Sequence, residues 1–461
     1  MNLLYKLFNF WATGPDIPVT KSKDEVDSEF KKKRASVLWS VVFGYGIFYI
    51  GRLTISVAKK PMMDAGILDA TQLGIIGSLL FYTYAFGKLT NGFLADRANI
   101  SKFMSTGLAV SAVVNLLFGL NSVFAVFAVL WAINGWFQSM GSAPAVVSVT
   151  QWFSTKERGT YYGIWAASHN IGEGLTFIGT ATVVSIWGWE AGFIVPGLIC
   201  LVVAGIMFFT LKDRPETYGL PNVAEFKGQP LPELKAKKSI KDMQLSVLKS
   251  PIVIKVGLAA TFLYTVRYAI HSWGPLYLQE VKGLDMIGAG TVMGVATMFG
   301  LGGAIFSGWF SDKFFDSRRS RPALIMSLIL LGSLFLIYFA PSNSKAVSIA
   351  AFGIFEFALG TMVVYIGGLW AVDLLPIKAA GSVKGIIGIF SYIGAATQDW
   401  ISGLLIDSGK TVTDGVTHYN FDSAFAFWIG AAIIAVLVPL TLWKNEKERY
   451  DEKNAQIKET K

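Results

Sequence analysis

Cysteine, histidine and charge are all scarce in this chain. Its one cysteine, Cys200, excludes an intrachain disulfide and leaves no paired thiols for redox or metal work. Three histidines and no Cys/His cluster provide no metal site. No glycine-rich phosphate loop ending in Gly-Lys-Ser/Thr is present, which removes ATP as a direct energy source. No Ser-His-Asp arrangement and no paired acids occur in a polar segment, so an enzyme is not expected and no cofactor is implied. A cleavable leader is not expected either. Residues 12–35 are polar and end in Lys31-Lys32-Lys33-Arg34, directly before the first apolar run. Residues 2–11 form a short amphipathic piece, either lying on a membrane surface or free as a terminus.

What is abundant is apolar. Hydrophobic residues make up 53% of the 461, charged ones only 15%, with 47 glycines and a mean hydropathy of +0.50. That balance fits an integral membrane protein with closely packed helices. Runs of about 20 apolar residues, enough to cross a bilayer, fall near 36–58, 73–95, 104–122, 123–149, 161–186 and 191–210. They resume near 252–278, 286–310, 323–341, 346–370, 383–406 and 422–443. The stretch 211–250 holds Pro215, Pro221, Pro230, Pro232 and eight Lys/Arg and reads as a linker. The expectation is an all-α membrane protein of twelve transmembrane helices in two pseudo-symmetric six-helix bundles. Its parts are an N-terminal segment 1–35, bundles over 36–210 and 251–443, the linker 211–250, and a tail 444–461. The formal charge of +9 follows topology rather than nucleic-acid binding. Both tails and the even-numbered connections carry about 30 Lys/Arg, whereas the opposite connections carry only Lys59, Lys60, Lys282, Lys345 and Lys410. Both termini and the linker are therefore expected in the cytoplasm.

Two arginines interrupt apolar runs in matching settings. Arg52 follows Tyr49 by three residues and Arg267 follows Tyr264 by three, so each pair shares a helical face. The second arginine comes 215 residues after the first. Gly92-Phe-Leu-Ala-Asp96-Arg97 recurs 216 residues later as Gly308-Trp-Phe-Ser-Asp312-Lys313. Two unrelated features at nearly one offset indicate internal duplication, as in two-bundle transporters with a site between the halves. An arginine in a membrane helix costs about 2.5 kcal/mol or more and marks a functional site by default. Its permanent charge and planar fork suit an anion, phosphate above all.

Gly92-Phe93-Leu94-Ala95-Asp96-Arg97-Ala98-Asn99 resembles the loop motif of the major facilitator superfamily. That resemblance implies a gating latch at the cytoplasmic end, with Asp96, Arg97, Asp312 and Lys313 as its charged members. Arg158-Gly159-x5-Trp165-x3-His169-Asn170-Ile171-Gly172 resembles the fifth-helix pattern of the organophosphate:phosphate antiporters of that superfamily. Tyr84-Ala85-Phe86-Gly87-Lys88 is similar to their second helix, and Arg267-Tyr268-Ala269-Ile270-x2-Trp273 to their seventh. The residues after Leu211, through Pro221, are similar to the start of their central linker, and the resemblance runs from about residue 25 to 445. It implies that Arg52 and Arg267 are phosphate ligands, that Lys88 and His169 line the same cavity, and that Tyr45, Tyr49, Tyr84, Trp165 and Tyr392 are aromatic or hydroxyl neighbours. For Lys88 the alternative is a side chain snorkelling to the interface. For His169, with Glu173 one turn on, it is a histidine satisfied by packing.

The pattern is also broken in places. Ala166, Glu173, Leu53, Ser272 and Thr297 stand where the group usually has Asn, Gly, Lys, Asp and an acid, and His271 lies beside Ser272. A Gly-Pro pair is missing around Leu359–Met362. New charges appear at Glu356, Lys384 and Asp399. Lys384 is 215 residues after His169, so it either faces the ligand opposite that histidine or reaches the headgroups from the start of its span. The function implied is a secondary transporter, working as a monomer in a bacterial inner membrane. It exchanges a sugar phosphate or glycerol 3-phosphate for inorganic phosphate by alternating access. Two readings stand beside it: a transporter-like receptor that senses external hexose phosphate for a partner kinase, and an antiporter for another organic anion.

Overall fold

The structure, a computed structural model, describes residues 9–229, 250–316, 318–366, 370, 380–414 and 416–459. Its long helices are α1 (Lys23–Asp64), α2 (Ala70–Ala95), α3 (Ile100–Gly119), α4 (Phe124–Gln138), α5 (Ser142–Trp152), α6 (Arg158–Trp187) and α7 (Ala191–Thr210). After the linker come α8 (Pro251–Glu280), α9 (Met286–Phe314), α10 (Ser320–Phe339), α11 (Lys345–Val364), α12 (Ala380–Ser408) and α13 (Asp422–Glu459). α4 and α5 together supply the fourth span, Phe124–Trp152. They are separated because the Pro144 ring has no place against the carbonyl one turn earlier, and Ser139–Gly141 turn instead.

Local signals explain the helix ends. Ser22 and Glu25 form a reciprocal capping box that starts α1 thirteen residues before the expected span, so the basic stretch 31–34 is helical. Asp69 and Gln72 do the same for α2. Asn99 and Asp285 accept from the Lys102 and Gly288 amides to cap α3 and α9. α6 stops at Gly188, whose φ of 86° suits glycine. At the other end of the chain α13 continues through Glu459, so residues 444–459 of the expected tail are helical. A small antiparallel hairpin, β1 (Thr411–Thr413) with β2 (Val416–His418), occupies the connection before α13.

By contacts the chain divides into two compact units, Met1–Ile55 with Thr83–Ala236, and Ser56–Tyr82 with Lys237–Lys461. α1 and α2 are thus each shared between units. Corresponding helices pair closely inside each unit. In the first, an added Cβ at Gly172 of α6 would overlap the Gly46 backbone of α1; in the second, one at Gly394 of α12 would overlap Thr261 of α8. Asn91 of α2 donates to Trp136 O of α4, and Thr361 of α11 to Gly303 O of α9. The duplication seen in the motifs is therefore matched by repeated helix pairing.

Among the described residues ten segments combine spanning length with high hydropathy. The two long helices that fall short are α6 and α12, the fifth and eleventh spans. They occupy corresponding places in the repeat and carry His169, Glu173, Lys384 and Asp399.

The N-terminal segment is not a free or membrane-lying piece from Asn9 onward. Trp11 is buried edge-on against Phe103 at 5.3 Å and donates to Thr106 Oγ1. Ala12 pairs with Ala98, Thr13 Oγ1 donates to Asp213 at 2.6 Å, and Asp16 pairs with Arg214 at 2.5 Å. Residues 1–8 of the amphipathic piece lie outside the described residues, as do Pro230 and Pro232 of the linker.

Candidate functional site

In the first unit the close α1–α6 crossing at Gly46 and Gly172 sets one aromatic face against another. Tyr45 packs on Trp165 with ring centroids 4.9 Å apart and edge-on to Tyr49 at 5.6 Å; Tyr49 meets the His169 ring at 5.8 Å. Arg52, 4% exposed, lies one turn past Tyr49 with its guanidinium carbon 3.8 Å from that ring's centroid and 5.4 Å from Tyr84. The Tyr-x-x-Arg spacing thus produces a stacked pair on one face. Lys88, half-buried, has its Nζ 5.9 Å from the Tyr84 centroid. Six aromatic or cationic neighbours assigned from the sequence to this half therefore gather around Arg52. His169 turns its Nδ1 to the Ala166 carbonyl in its own helix, and Glu173 is buried one turn on.

The second unit repeats the theme. Arg267, 7% exposed, sits 5.6 Å from the Tyr264 ring and 5.5 Å from Tyr268. Tyr392 of α12 closes the group at 5.7 Å from Tyr264 and 6.1 Å from Tyr268. Two polar clusters follow along α8. His271 Nε2 and Glu356 Oε1 of α11 share a 2.6 Å hydrogen bond, both side chains buried, so Glu356 has a partner of its own. One residue further, Ser272 Oγ donates to Asp399 Oδ1 of α12 at 2.7 Å and accepts from Lys59 Nζ at 2.7 Å. Lys59 Nζ is 3.4 Å from Asp399 Oδ1 and 3.2 Å from the Trp273 ring centroid.

Lys59 corrects the sequence reading, which counted it with Lys60 as a loop residue. Both lie inside α1. Lys59 is 1% exposed, and Lys60 reaches Asp64 at 3.2 Å and Glu280. A signal was available: Lys59 follows Arg52 by seven residues, two helical turns, and so falls on the same face. Lys282, also counted as a loop cation, is buried and donates to the Tyr338 and Ala340 carbonyls. The Lys384 side chain lies outside the described residues; its backbone belongs to the first turns of α12.

At the loop motif Asp96 and Arg97 are exposed just past α2, and the Arg97 carbonyl accepts from Thr13 N of the N-terminal strap. They line a cleft of about 500 Å³ with Thr13, Gln151, Arg214 and Glu216. In the second copy Asp312 accepts from Arg319 at 2.8 Å, while Lys313 lies 5.2 Å over Trp309. The partner of the repeated aspartate is thus an arginine seven residues on rather than the adjacent lysine. In the first unit, Glu157 opens α6. Burial works against its ionisation, but hydrogen bonds from Lys227, Ser154 and Arg34 outweigh that and hold its carboxyl down at about 2.

Missed entirely in the sequence was a polar group on α3 and α4. Ser111, Asn115, Asn134 and Gln138 are all buried, and two of their amides converge on the Gly51 carbonyl, immediately before Arg52.

Comparison with known proteins places these features in context. The Major Facilitator Superfamily profile matches residues 41–397. The chain is 32% identical over 402 residues to the membrane sensor protein UhpC of Salmonella typhimurium, covering 86% of this chain and 90% of that one. It is 32% identical to a probable hexose phosphate transport protein of Chlamydia muridarum, covering 97% and 98% respectively. Among solved structures it is similar to a bacterial homolog of the human lysosomal transporter Spinster, at a TM-score of 0.72 and 18% identity over 91% of this chain and 98% of that one.

Proposed function

The chain belongs to the major facilitator superfamily, and we propose that it exchanges a phosphorylated metabolite, a sugar phosphate or glycerol 3-phosphate, for inorganic phosphate by alternating access. It is an integral membrane protein. The observation that carries the substrate class is the matched pair of buried arginines, Arg52 and Arg267, each set against a tyrosine three residues before it. A phosphate ester near neutral pH carries close to two negative charges. Each guanidinium offers two parallel donors to its oxygens. Trp165 Nε1, on the ring packed against Tyr45, is buried with no hydrogen-bond partner, a donor suited to a further ligand oxygen. Lys88, His169 and the tyrosines 45, 49, 84 and 392 complete the proposed lining, with Lys384 as a further candidate. Two cationic forks that must hold an anion favour obligatory exchange, since a site emptied of anion is electrostatically costly to carry through the membrane. Asp96, Arg97, Asp312 and Lys313 are proposed as gating loops. The Lys/Arg asymmetry supports cytoplasmic termini, here in a bacterial inner membrane, with Lys59 and Lys60 now removed from the loop count.

In proteoliposomes loaded with phosphate, labelled phosphate should enter by exchange, and hexose phosphates should compete. Arg52→Lys and Arg267→Lys should each lower exchange about 10- to 100-fold, the weight of one charge-assisted hydrogen bond. Normal exchange in both variants would sink the assignment. A second reading is favoured by the similarity to a protein named a membrane sensor: binding of hexose phosphate with negligible flux would make this chain a receptor.

A further inference from the structure

We propose that a buried amide relay, Gln138–Ser111–Asn134 joined by Asn115, is the positioning shell of Arg52 and thereby sets the affinity for phosphate; this rests on Arg52 being a phosphate ligand. Ser111 and Asn115 lie one turn apart on α3, and Asn134 and Gln138 one turn apart on α4, so each pair forms a polar stripe along one helix face. None of the four is more than 1% exposed. Their hydrogen bonds run in one direction. Gln138 Nε2 donates to Ser111 Oγ at 2.7 Å, Ser111 Oγ donates to Asn134 Oδ1 at 2.6 Å, and Asn134 Nδ2 donates to the Gly51 carbonyl at 2.9 Å. Asn115 Nδ2 donates to the same carbonyl and to Ser111 O, both at 2.8 Å.

The direction is set by chemistry. The Ser111 hydroxyl has one hydrogen and gives it to Asn134 Oδ1, so the Asn134 amide must present its nitrogen to Gly51. Gly51 lies within α1, where the helix already supplies a donor to its carbonyl. Two more donors are therefore not needed to satisfy that oxygen; they fix where it sits. Glycine is required for the approach, because an added Cβ would lie 2.9 Å from both Gln138 Nε2 and Ser111 Oγ. Another part of α1 is held by the Gly46–Gly172 crossing. The next residue after this pinned peptide is Arg52. A displacement of about 1 Å in such a root can cost about 100-fold in a positioned interaction.

The test uses the full chain reconstituted in vesicles, with labelled inorganic phosphate as the probe. Asn134→Leu and Asn115→Leu should raise KM for phosphate about three- to twenty-fold at near wild-type maximal rate, the range of one intramembrane hydrogen bond. Asn134→Asp, which keeps the acceptor for Ser111 but has no amide donor, should do the same. In an Arg52→Lys background, measured by equilibrium phosphate binding, the added Asn134→Leu should have little further effect. Should the asparagine variants not fold, Ser111→Ala decides: a raised KM supports the relay and an unchanged one overturns it. Unchanged KM in folded asparagine variants beside a crippled Arg52→Lys overturns the positioning role alone. So does an undiminished Asn134→Leu effect in the Arg52→Lys background. Wild-type phosphate affinity in Arg52→Lys overturns this role and the ligand assignment together.

Discussion

Replacing Asp399 by asparagine is expected to destabilise the protein by about 3–5 kcal/mol, the usual consequence of stripping one partner from a buried ion pair. The Lys59 and Asp399 side chains are 1% and 2% exposed, with 3.4 Å between Nζ and Oδ1. At an effective dielectric constant of about 20, that separation corresponds to a Coulomb attraction of about 5 kcal/mol. Asparagine keeps the shape and can still accept from Ser272, so the loss isolates the charge. Lys59 would remain over the Trp273 face, an interaction of about 2 kcal/mol that offsets only part of it. Relief by rearrangement is limited, because Asp399 Oδ2 is pressed against Gly77 with no room for even a Cβ there. The double variant Lys59→Met/Asp399→Leu removes both charges together with their desolvation, and should return to within about 1 kcal/mol of wild type. A double-mutant cycle of wild type, Lys59→Met, Asp399→Leu and the double variant, read by unfolding of the purified protein in detergent and followed by tryptophan fluorescence, measures all four corners, with Asp399→Asn measured beside it. An Asp399→Asn variant within about 0.5 kcal/mol of wild type, or a double variant no better than the single, would refute the reasoning.

Three further outcomes follow from the same packing. Gly172→Ala should disrupt folding, because its methyl would overlap the Gly46 backbone, whereas Gly179→Ala in the same helix meets nothing within 4 Å and should be tolerated; melting temperatures of the two separate the cases. Glu356→Leu takes the 2.6 Å partner from buried His271 and should cost about 1–3 kcal/mol, while Glu356→Gln keeps an acceptor and should cost less in the same unfolding assay. Glu157, held down at about 2, contributes stability that is complete above the ordinary carboxylate range and fades only as pH falls from about 4 toward 2; Glu157→Gln should therefore change stability above pH 5 but narrow its difference from wild type as acid is added.

The spans were legible because bilayer-length apolar runs leave few alternatives, and the duplication because two motifs share one offset. The limits of α1 and α13 were not, since polar stretches prolong both helices beyond the apolar windows. The Tyr-x-x-Arg faces followed from helical spacing alone. Lys59 did not: hydropathy placed it in a loop, and only its distant partners, Ser272 and Asp399, explain a lysine inside a helix. His271 and Glu356 were visible as unusual charges but not as partners, being 85 residues apart.

Taken alone, the sequence determined the membrane class, the two repeated halves and the matched pair of arginines. These depend on composition and on periodicity within single helices, where neighbours in sequence are neighbours in space. Only the tertiary structure decided which buried charges neutralise one another, and that amides from α3 and α4 meet at the peptide before Arg52. Those outcomes depend on how closely helices approach, which single glycines at positions 46, 51, 77 and 172 permit. Where a helix crossing will need a missing side chain is settled by the partner helix and not by the residues beside the glycine.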